Sequence, residues 1–476
     1  MNYYSLRDFL DILDQNGQLV QITDPVMPEP DIPAAGQAAI SCGHYAPALV
    51  FEKVKGYANR LVMNVHGSWA NHALMLGLPK DTIIKDQFFE LDKRWPGKVI
   101  KPTWLKDAPC KEIKITSNIN LFEVLPLYRS NKYDGGCYLS KACVITRDPE
   151  EPDNFRKQNV GTYRIQVTGI DRLSIQPLIF HDIAVHLRKA EERNKPLPVA
   201  IAIGNEPIIS FISSSPLEYD ESEYEYAGAL RGEPYQLIKA ETSDLDVPAG
   251  AEVIIEGEIL PRKRSIEGPF GEFTGAYSGT RFQPEIKIHA ITHRANPIFE
   301  NLYLGVPWTE VDYLIALNTS LSVYRQLKAS MPEVASVNAM YQHGIVEIIS
   351  TGCRIGGYGK AVAMRLLSTP HGMPYAKIII VVDESVDPFN INQVMWALST
   401  RVNPAKRVSI IHNCPGMTLD PSCDPPGMSS KVIIDATTPV PPEPINAEVQ
   451  TLELPENTDE WMKKIKGLIR KQEKIL

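Results

Sequence analysis

The sequence has few clean apolar runs, and they are short. "IIIVV" at 378 to 382 is typical, against roughly 20 residues for a membrane-crossing helix. No Lys/Arg block precedes the C-terminal tail and the formal net charge is −8, so the electrostatic footprint of a nucleic-acid binder is missing. The seven cysteines (42, 110, 137, 143, 353, 414 and 423) form no CxxC pair. The opening "MNYYSLRDFL" carries no secretory signal pattern. Together these predict reduced thiols and a cytoplasmic protein without membrane or nucleic-acid partners. No GxSxG, HExxH or GxxxxGK[ST] occurs, and no GxGxxG follows a strand. Serine-hydrolase, zinc-protease, nucleoside-triphosphatase and nicotinamide readings lose their usual signatures.

What is present fits a globular chain. Hydrophobic residues make up 43% and charged residues 22% of 476 positions, enough for two or three cores. Ser5 before "LRDFLDILDQNG" predicts a capped helix stopped at Gly17. An N-terminal α/β unit is expected over residues 1–112. Residues 113–305 read as many short strands, among them "VGTYRIQVTG", "PVAIAIG", "IISFISS", "AEVIIEGEIL" and "EIKIHAITH", a pattern of barrels and sandwiches. One helix interrupts them, "HDIAVHLRKAEERN", opened by His181. A linker helix is expected at 306–330. Residues 331–455 alternate apolar strands with helical patterns, "GKAVAMRLLST" and "NINQVMWALSTRV", which predicts βαβ units and a parallel sheet buried on both faces. The tail, 456–476, places apolar residues at 461, 465, 468 and 469. It reads as a helix docking on a neighbouring subunit rather than on a membrane surface.

Several residues could carry chemistry. In "IEGPFGEFTG", Glu267 and Glu272 flank a turn built from Gly268, Pro269, Phe270 and Gly271. Proline between two glycines excludes a helix. Spacing leaves two accounts open: an exposed hairpin turn, or two acids delivered to one place to handle a proton. In "QNVGTYR", Asn159 offers a neutral oxygen and Arg164 a fork of donors suited to a carboxylate or phosphate. His181 opens a helix, and Glu223 sits in the acidic run "YDESEYEYAG", which alone reads as a solvated face. Asn159, His181 and Glu223 would make an Mn²⁺ or Mg²⁺ site if they met. Lys360 in "TGCRIGGYGKA" starts a helix after glycines and could meet a phosphate, or simply face solvent.

The order NxGxYR, a helix-opening His, ExxYxGAL and EGPFGE resembles the UbiD family of prenylated-flavin-dependent decarboxylases. "IEGPFGEFTGAYSG", "VDPFNINQVMWALSTRVNP" and "KVIIDATTP" look most like the large (C) subunit of bacterial non-oxidative hydroxyarylic acid decarboxylases. The resemblance spans nearly the whole chain. It implies a multidomain α+β and α/β fold: an N-terminal α/β unit, a central split β-barrel flavin-binding domain and a C-terminal α/β dimerisation domain. It implies reversible decarboxylation of 4-hydroxybenzoate, vanillate, protocatechuate or gallate with prenylated FMN, Mn²⁺ and K⁺, as in aromatic acid degradation.

On this sequence the resemblance assigns the metal to Asn159, His181 and Glu223. The flavin would run along Val160, Gly161, Thr162, Tyr163 and Arg164, with Ser213, Ser214 and Pro216 near K⁺ and Lys360 near the phosphate. Arg164, Glu267 and Glu272 become the catalytic set, with Glu272 as proton donor. Phe180 stands where relatives acting on acrylic acids often have Gln, a departure that suits an aromatic acid. The implied partners are a small prenyltransferase that makes the cofactor, a short third subunit, and further copies in a homodimer or homohexamer. The competing readings are decarboxylation of another aromatic or α,β-unsaturated acid, an ordinary flavin reductase, and a non-catalytic subunit that stabilises a partner.

Overall fold

The computed structural model describes residues 3–445 except 96, 98 and 180, with residue 452 and residues 455–473. Phe180 and the side chain of Ile469 therefore lie outside the described residues. The first helix, Leu6–Gln15, starts where expected, with the Ser5 hydroxyl accepting from the Asp8 N–H at 3.3 Å. It ends at Gly17, whose φ of +67° reverses the chain. Strands Leu19–Ile22, Ala48–Phe51 and Arg60–Met63 form a small sheet. Its fourth strand, Ile298–Glu300, arrives from the far end of the central region and pairs in parallel with Arg60–Met63.

The central unit is a nine-stranded sheet. Eight strands run in the order Tyr138–Leu139, Ile165–Gly169, Arg172–Ile175, Arg281–His293, Val253–Glu267, Leu197–Ile203, Ala142–Arg147 and Gln158–Thr162, and Ile113–Ile115 pairs beside Arg281–His293. Every pairing is antiparallel. Among the described residues the two end strands do not pair with each other, so the sheet stays open. Helix Asp182–Glu192 follows His181 as predicted.

One expectation fails. "IISFISS", read as a strand, is helix Pro207–Ile212. Glu206 caps it, accepting from the N–H groups of Ile208 and Ile209 at 2.9 and 3.2 Å, and Pro207 has its φ preset for a first helical position. Those two residues outweigh the β-branched run that follows.

Helix Glu310–Lys328 bridges to the last unit, and Thr309 with Asp312 closes a capping box at its start. The C-terminal sheet runs Val334–Tyr341, Val346–Thr351, Ile378–Asp383, Met428–Ala436, Val408–Pro415. Its three inner strands are parallel, but both edges are antiparallel. The strand Val408–Pro415 is half open to solvent, so burial on both faces holds only for the inner strands. The closing helix, Thr458–Glu473, leaves Trp461, Ile465 and Leu468 exposed.

Within this unit Glu347 is fully buried, and burial pushes its carboxyl up to about 8. A carboxyl with a raised folded value is stabilising below its unfolded value of about 4.3, and that contribution is lost as pH rises through about 8. Replacing Glu347 with Gln removes this titration. The melting temperature of E347Q should therefore fall less than that of the wild type between pH 5 and pH 8.5. Parallel melting curves over that window would contradict the assignment.

Candidate active site

Arg164 sits between two strands, Gln158–Thr162 and Ile165–Gly169. Its Nη2 donates to Glu267 Oε2 at 2.7 Å, and its Nη1 to Glu272 Oε1. Relative side-chain exposures are 8% for Arg164, 0% for Glu267 and 9% for Glu272. The exposed-hairpin account of the "EGPFGE" turn is thereby excluded: both acids converge on one buried guanidinium. The guanidinium carbon also lies 5.0 Å from the centre of the Phe270 ring, a cation–π contact made by the turn itself.

The turn is held from outside. Gln166 Oε1 accepts from Gly268 N at 3.0 Å, and Asp134 Oδ1 accepts from Gly271 N at 2.8 Å. Gly135 N donates to Pro269 O at 2.7 Å. A Cβ on Gly135 would lie 2.3 Å from Gly268 O, so the backbones approach as only glycine permits. Tyr138 Oη donates to Glu267 Oε1 at 3.1 Å. Among the described residues Glu267 thus has two side-chain donors, Arg164 and Tyr138, whereas Glu272 has Arg164. Burial raises the Glu272 carboxyl above its ordinary value, and Arg164 offsets only part of that rise. Glu272 is therefore an acid held toward its protonated form. Sequence reasoning did not single out Tyr138, Asp134 or Gln166. Of these only Gln166 left a signal, since it lies two positions after Arg164 and so on the same face of the alternating pattern.

The second cluster lies along Gln158–Thr162. Tyr163 folds back over Gly161, where a Cβ would meet Tyr163 Oη at 2.3 Å. This brings the hydroxyl to Asn159, whose Nδ2 donates to it at 3.2 Å, and the ring against His181 at 5.3 Å between centroids. Glu223 opens helix Glu223–Arg231 and is buried, not solvated. Burial pushes its carboxyl up to about 8 despite a backbone hydrogen bond from Val160, and its Oε2 has no hydrogen-bond partner among the described residues. Burial likewise holds His181 down at about 4, so its imidazole is neutral at pH 7. A neutral imidazole, an amide oxygen and a buried carboxyl with an unpartnered oxygen are donor types that would suit a divalent metal.

Ser213 joins the same strand: its carbonyl accepts from Thr162 N at 3.0 Å, and its Oγ lies 2.9 Å from Thr162 Oγ1. Ser214 Oγ donates to Thr162 Oγ1 at 3.3 Å. Pro216 is exposed just beyond. Lys360 is not brought to this group: it is exposed on helix Tyr358–Leu367, which packs on the C-terminal sheet.

A third charged cluster was not foreseen. Ligand atoms of His66, Glu300 and Glu310 lie within 4.8 Å of one another. No metal is needed there, because the Lys141 ammonium already bridges the two carboxylates at 2.6 and 2.5 Å.

Three family models match in chain order. They are the N-terminal domain (residues 10–91), the Rift-related domain (103–307) and the C-terminal domain (312–436) of 3-octaprenyl-4-hydroxybenzoate carboxy-lyase. The phenolic acid decarboxylase of Sedimentibacter hydroxybenzoicus is 62% identical over 99% of both chains, and that of Bacillus subtilis 55% identical over 99% of this chain and 100% of the relative. The open form of vanillic acid decarboxylase from Sedimentibacter hydroxybenzoicus superposes with a TM-score of 0.92 at 61% identity, covering 99% of this chain and 100% of that one. The UbiD-class enzyme HmfF from Pelotomaculum thermopropionicum, in complex with FMN, gives 0.84 at 31% identity, covering 96% and 98%. On the buried Arg164 set, the three ordered domain matches and this identity over nearly the full length, the chain belongs to the UbiD family of carboxy-lyases.

Proposed function

We propose that this chain removes CO₂, reversibly and without oxidation, from a hydroxybenzoate of the 4-hydroxybenzoate, vanillate, protocatechuate or gallate type, leaving the corresponding phenol. The observation that carries this reading is Arg164 clamped between Glu267 and Glu272 beside a strand that also bears Asn159. Relatives named phenolic acid decarboxylase and vanillic acid decarboxylase support the substrate class. UbiD-class structures with FMN and prenylated FMN support the cofactor.

Asn159, His181 and Glu223 would hold Mn²⁺, which would in turn anchor the flavin phosphate. The segment Val160 to Arg164 with Ser213 and Ser214 would line the cofactor and a K⁺ ion. When bound, prenylated FMN supplies the electron sink for the charge left on the ring carbon as CO₂ departs, which side chains cannot provide. The protein's own residues do the rest. Arg164 keeps one buried donor, Nε, without a partner among the described residues, and this donor suits a substrate carboxylate. Glu272 gives its proton to the ring carbon that lost CO₂. Glu267, fixed by Tyr138, balances Arg164 so that Glu272 can exchange protons without losing its place. Burial keeps bulk water from competing as the proton source.

The open nine-stranded sheet is read as the split barrel of the flavin domain, within units 1–112, 113–305, 306–330, 331–455 and 456–476. The exposed apolar residues of Thr458–Glu473 favour docking on a neighbour in a homodimer or homohexamer. A short extra subunit is supported by a relative's structure with a truncated ShVdcD component. A cytoplasmic location agrees with free cysteines and with the absence, among the described residues, of any helix long and apolar enough to cross a membrane.

The test is direct. Protein loaded with prenylated FMN, Mn²⁺ and K⁺ should release CO₂ from at least one member of a hydroxybenzoate panel. Fully loaded protein that releases none from any member would refute the reading.

A further inference from the structure

Among the described residues, an aromatic contact joins the acid turn to the C-terminal unit. The residue after Glu272, Phe273, stacks on His343 with ring centroids 3.7 Å apart and planes 12° from parallel. His343 lies in a loop where three successive residues have positive φ: Gln342 at +44°, His343 at +60° and Gly344 at +87°. Two non-glycine residues in succession in this region is a costly backbone. It is held by Gln342, whose Nε2 donates to Pro307 O at 2.9 Å. The loop therefore presents one imidazole, in a fixed plane, to the segment that carries the proposed proton donor.

That imidazole is incompletely satisfied. His343 Nε2 is buried with no hydrogen-bond partner among the described residues. The nearby His371 Nε2 is in the same state, and a Cβ at Gly344 would come within 2.7 Å of it. A carboxyl oxygen of Glu347 lies 4.0 Å from it. A buried polar nitrogen without a partner is expensive, and two side by side at the junction with the acid turn point to a ligand. The ligand's chemistry follows from the charges: Arg164 answers a carboxylate, while the loop stacked on Phe273 offers imidazoles. Burial holds His343 near 3 and His371 near 4. Neutral rings favour a neutral donor–acceptor group over a second anion.

We propose that His343 is a specificity-determining residue whose Nε2 hydrogen-bonds a ring hydroxyl of the phenolic substrate, with Phe273 fixing the imidazole plane. This rests on the phenolic-acid reading above. Phe273 then has two duties: it orients His343 and it ties the substrate's far edge to the turn that delivers the proton.

The experiment is binding of guaiacol and of anisole, which lacks the hydroxyl, to flavin-loaded wild type, H343F and H343Q, measured by titration calorimetry. H343F keeps an aromatic stack on Phe273 and removes the nitrogen. The wild type should prefer guaiacol. H343F should lose about tenfold or more in guaiacol affinity, the scale of one hydrogen bond to a buried partner, with anisole affinity, flavin content and melting temperature kept. H343Q, which restores a polar atom, should recover part of the preference. H343F that discriminates as the wild type does would overturn the proposal. So would equal losses for both ligands, which would mark His343 as a structural clamp. Because binding is read without turnover, failure of the decarboxylase reading would show separately, as wild type that binds guaiacol yet releases no CO₂.

Discussion

Flavin-loaded E272Q is expected to lose about 10²- to 10⁴-fold in kcat, the usual contribution of one positioned acid, while retaining its flavin. The substitution is nearly isosteric, and the amide can still accept from Arg164 Nη1 at the same place. What it cannot do is give up a proton and take one back. Glu272 is suited to that exchange because burial raises its carboxyl, with Arg164 pulling the other way. E267Q should behave differently. Glu267 has Arg164 and Tyr138 as donors, so its loss disturbs the position of Arg164 and should raise KM along with lowering kcat. Flavin absorbance and steady-state rates on one hydroxybenzoate separate the cases. Wild-type turnover by E272Q would remove Glu272 from the chemistry.

The largest effect on stability should come from K141M. Lys141 is fully buried and bridges Glu300 and Glu310, each also fully buried. Burial alone would lower the ammonium's proton affinity, but the two glutamates outweigh it and raise it. For Glu310, burial pushes up, yet Lys141 and His66 prevail and hold the carboxyl at about 2. Glu310 also accepts from Asn64 N at 2.7 Å and His66 N at 3.0 Å. One cluster thus joins the N-terminal sheet, the central strands and the start of the connecting helix. Removing the ammonium leaves two carboxylates in a dry site, at a cost of about 3–5 kcal/mol. E300Q should be far milder. Burial raises Glu300 to about 7, so it is the partner more easily neutralised, and Lys141 keeps Glu310. Calorimetric melting of the two variants side by side checks this. K141M that melts with the wild type would show that the cluster does not hold the three units together.

The sequence made the local pieces legible and left their meeting points hidden. Ser5 with Gly17, and His181 at a helix start, could be read because caps and stops act over a few residues. The motif order carried the family, and hence the pairing of Glu267 with Glu272 across a turn. Spacing could not show the two acids converging, since the turn's path is set by Asp134, Gly135 and Gln166 from other strands. Glu223 looked solvated because its neighbours are acidic, yet it is buried against the strand bearing Val160. The strand Ile298–Glu300 completes a sheet whose other members lie before residue 64, a long-range pairing with no local signal. Helix Pro207–Ile212 departs from the strand pattern for the opposite reason: Glu206 and Pro207 are local helix-start signals, and they outweigh the apolar run that follows. Lys141, the lone charge in "CYLSKACVIT", gave no hint of two acids more than 150 positions away.

If a metal-anchored flavin faces Arg164 between its two glutamates, a crystal structure of the reconstituted protein with manganese anomalous data will show it. One anomalous peak is expected, bounded by Asn159, His181 and Glu223, with flavin density running from it along Val160 to Arg164. A peak among other residues, or a flavin bound away from Arg164, would contradict it.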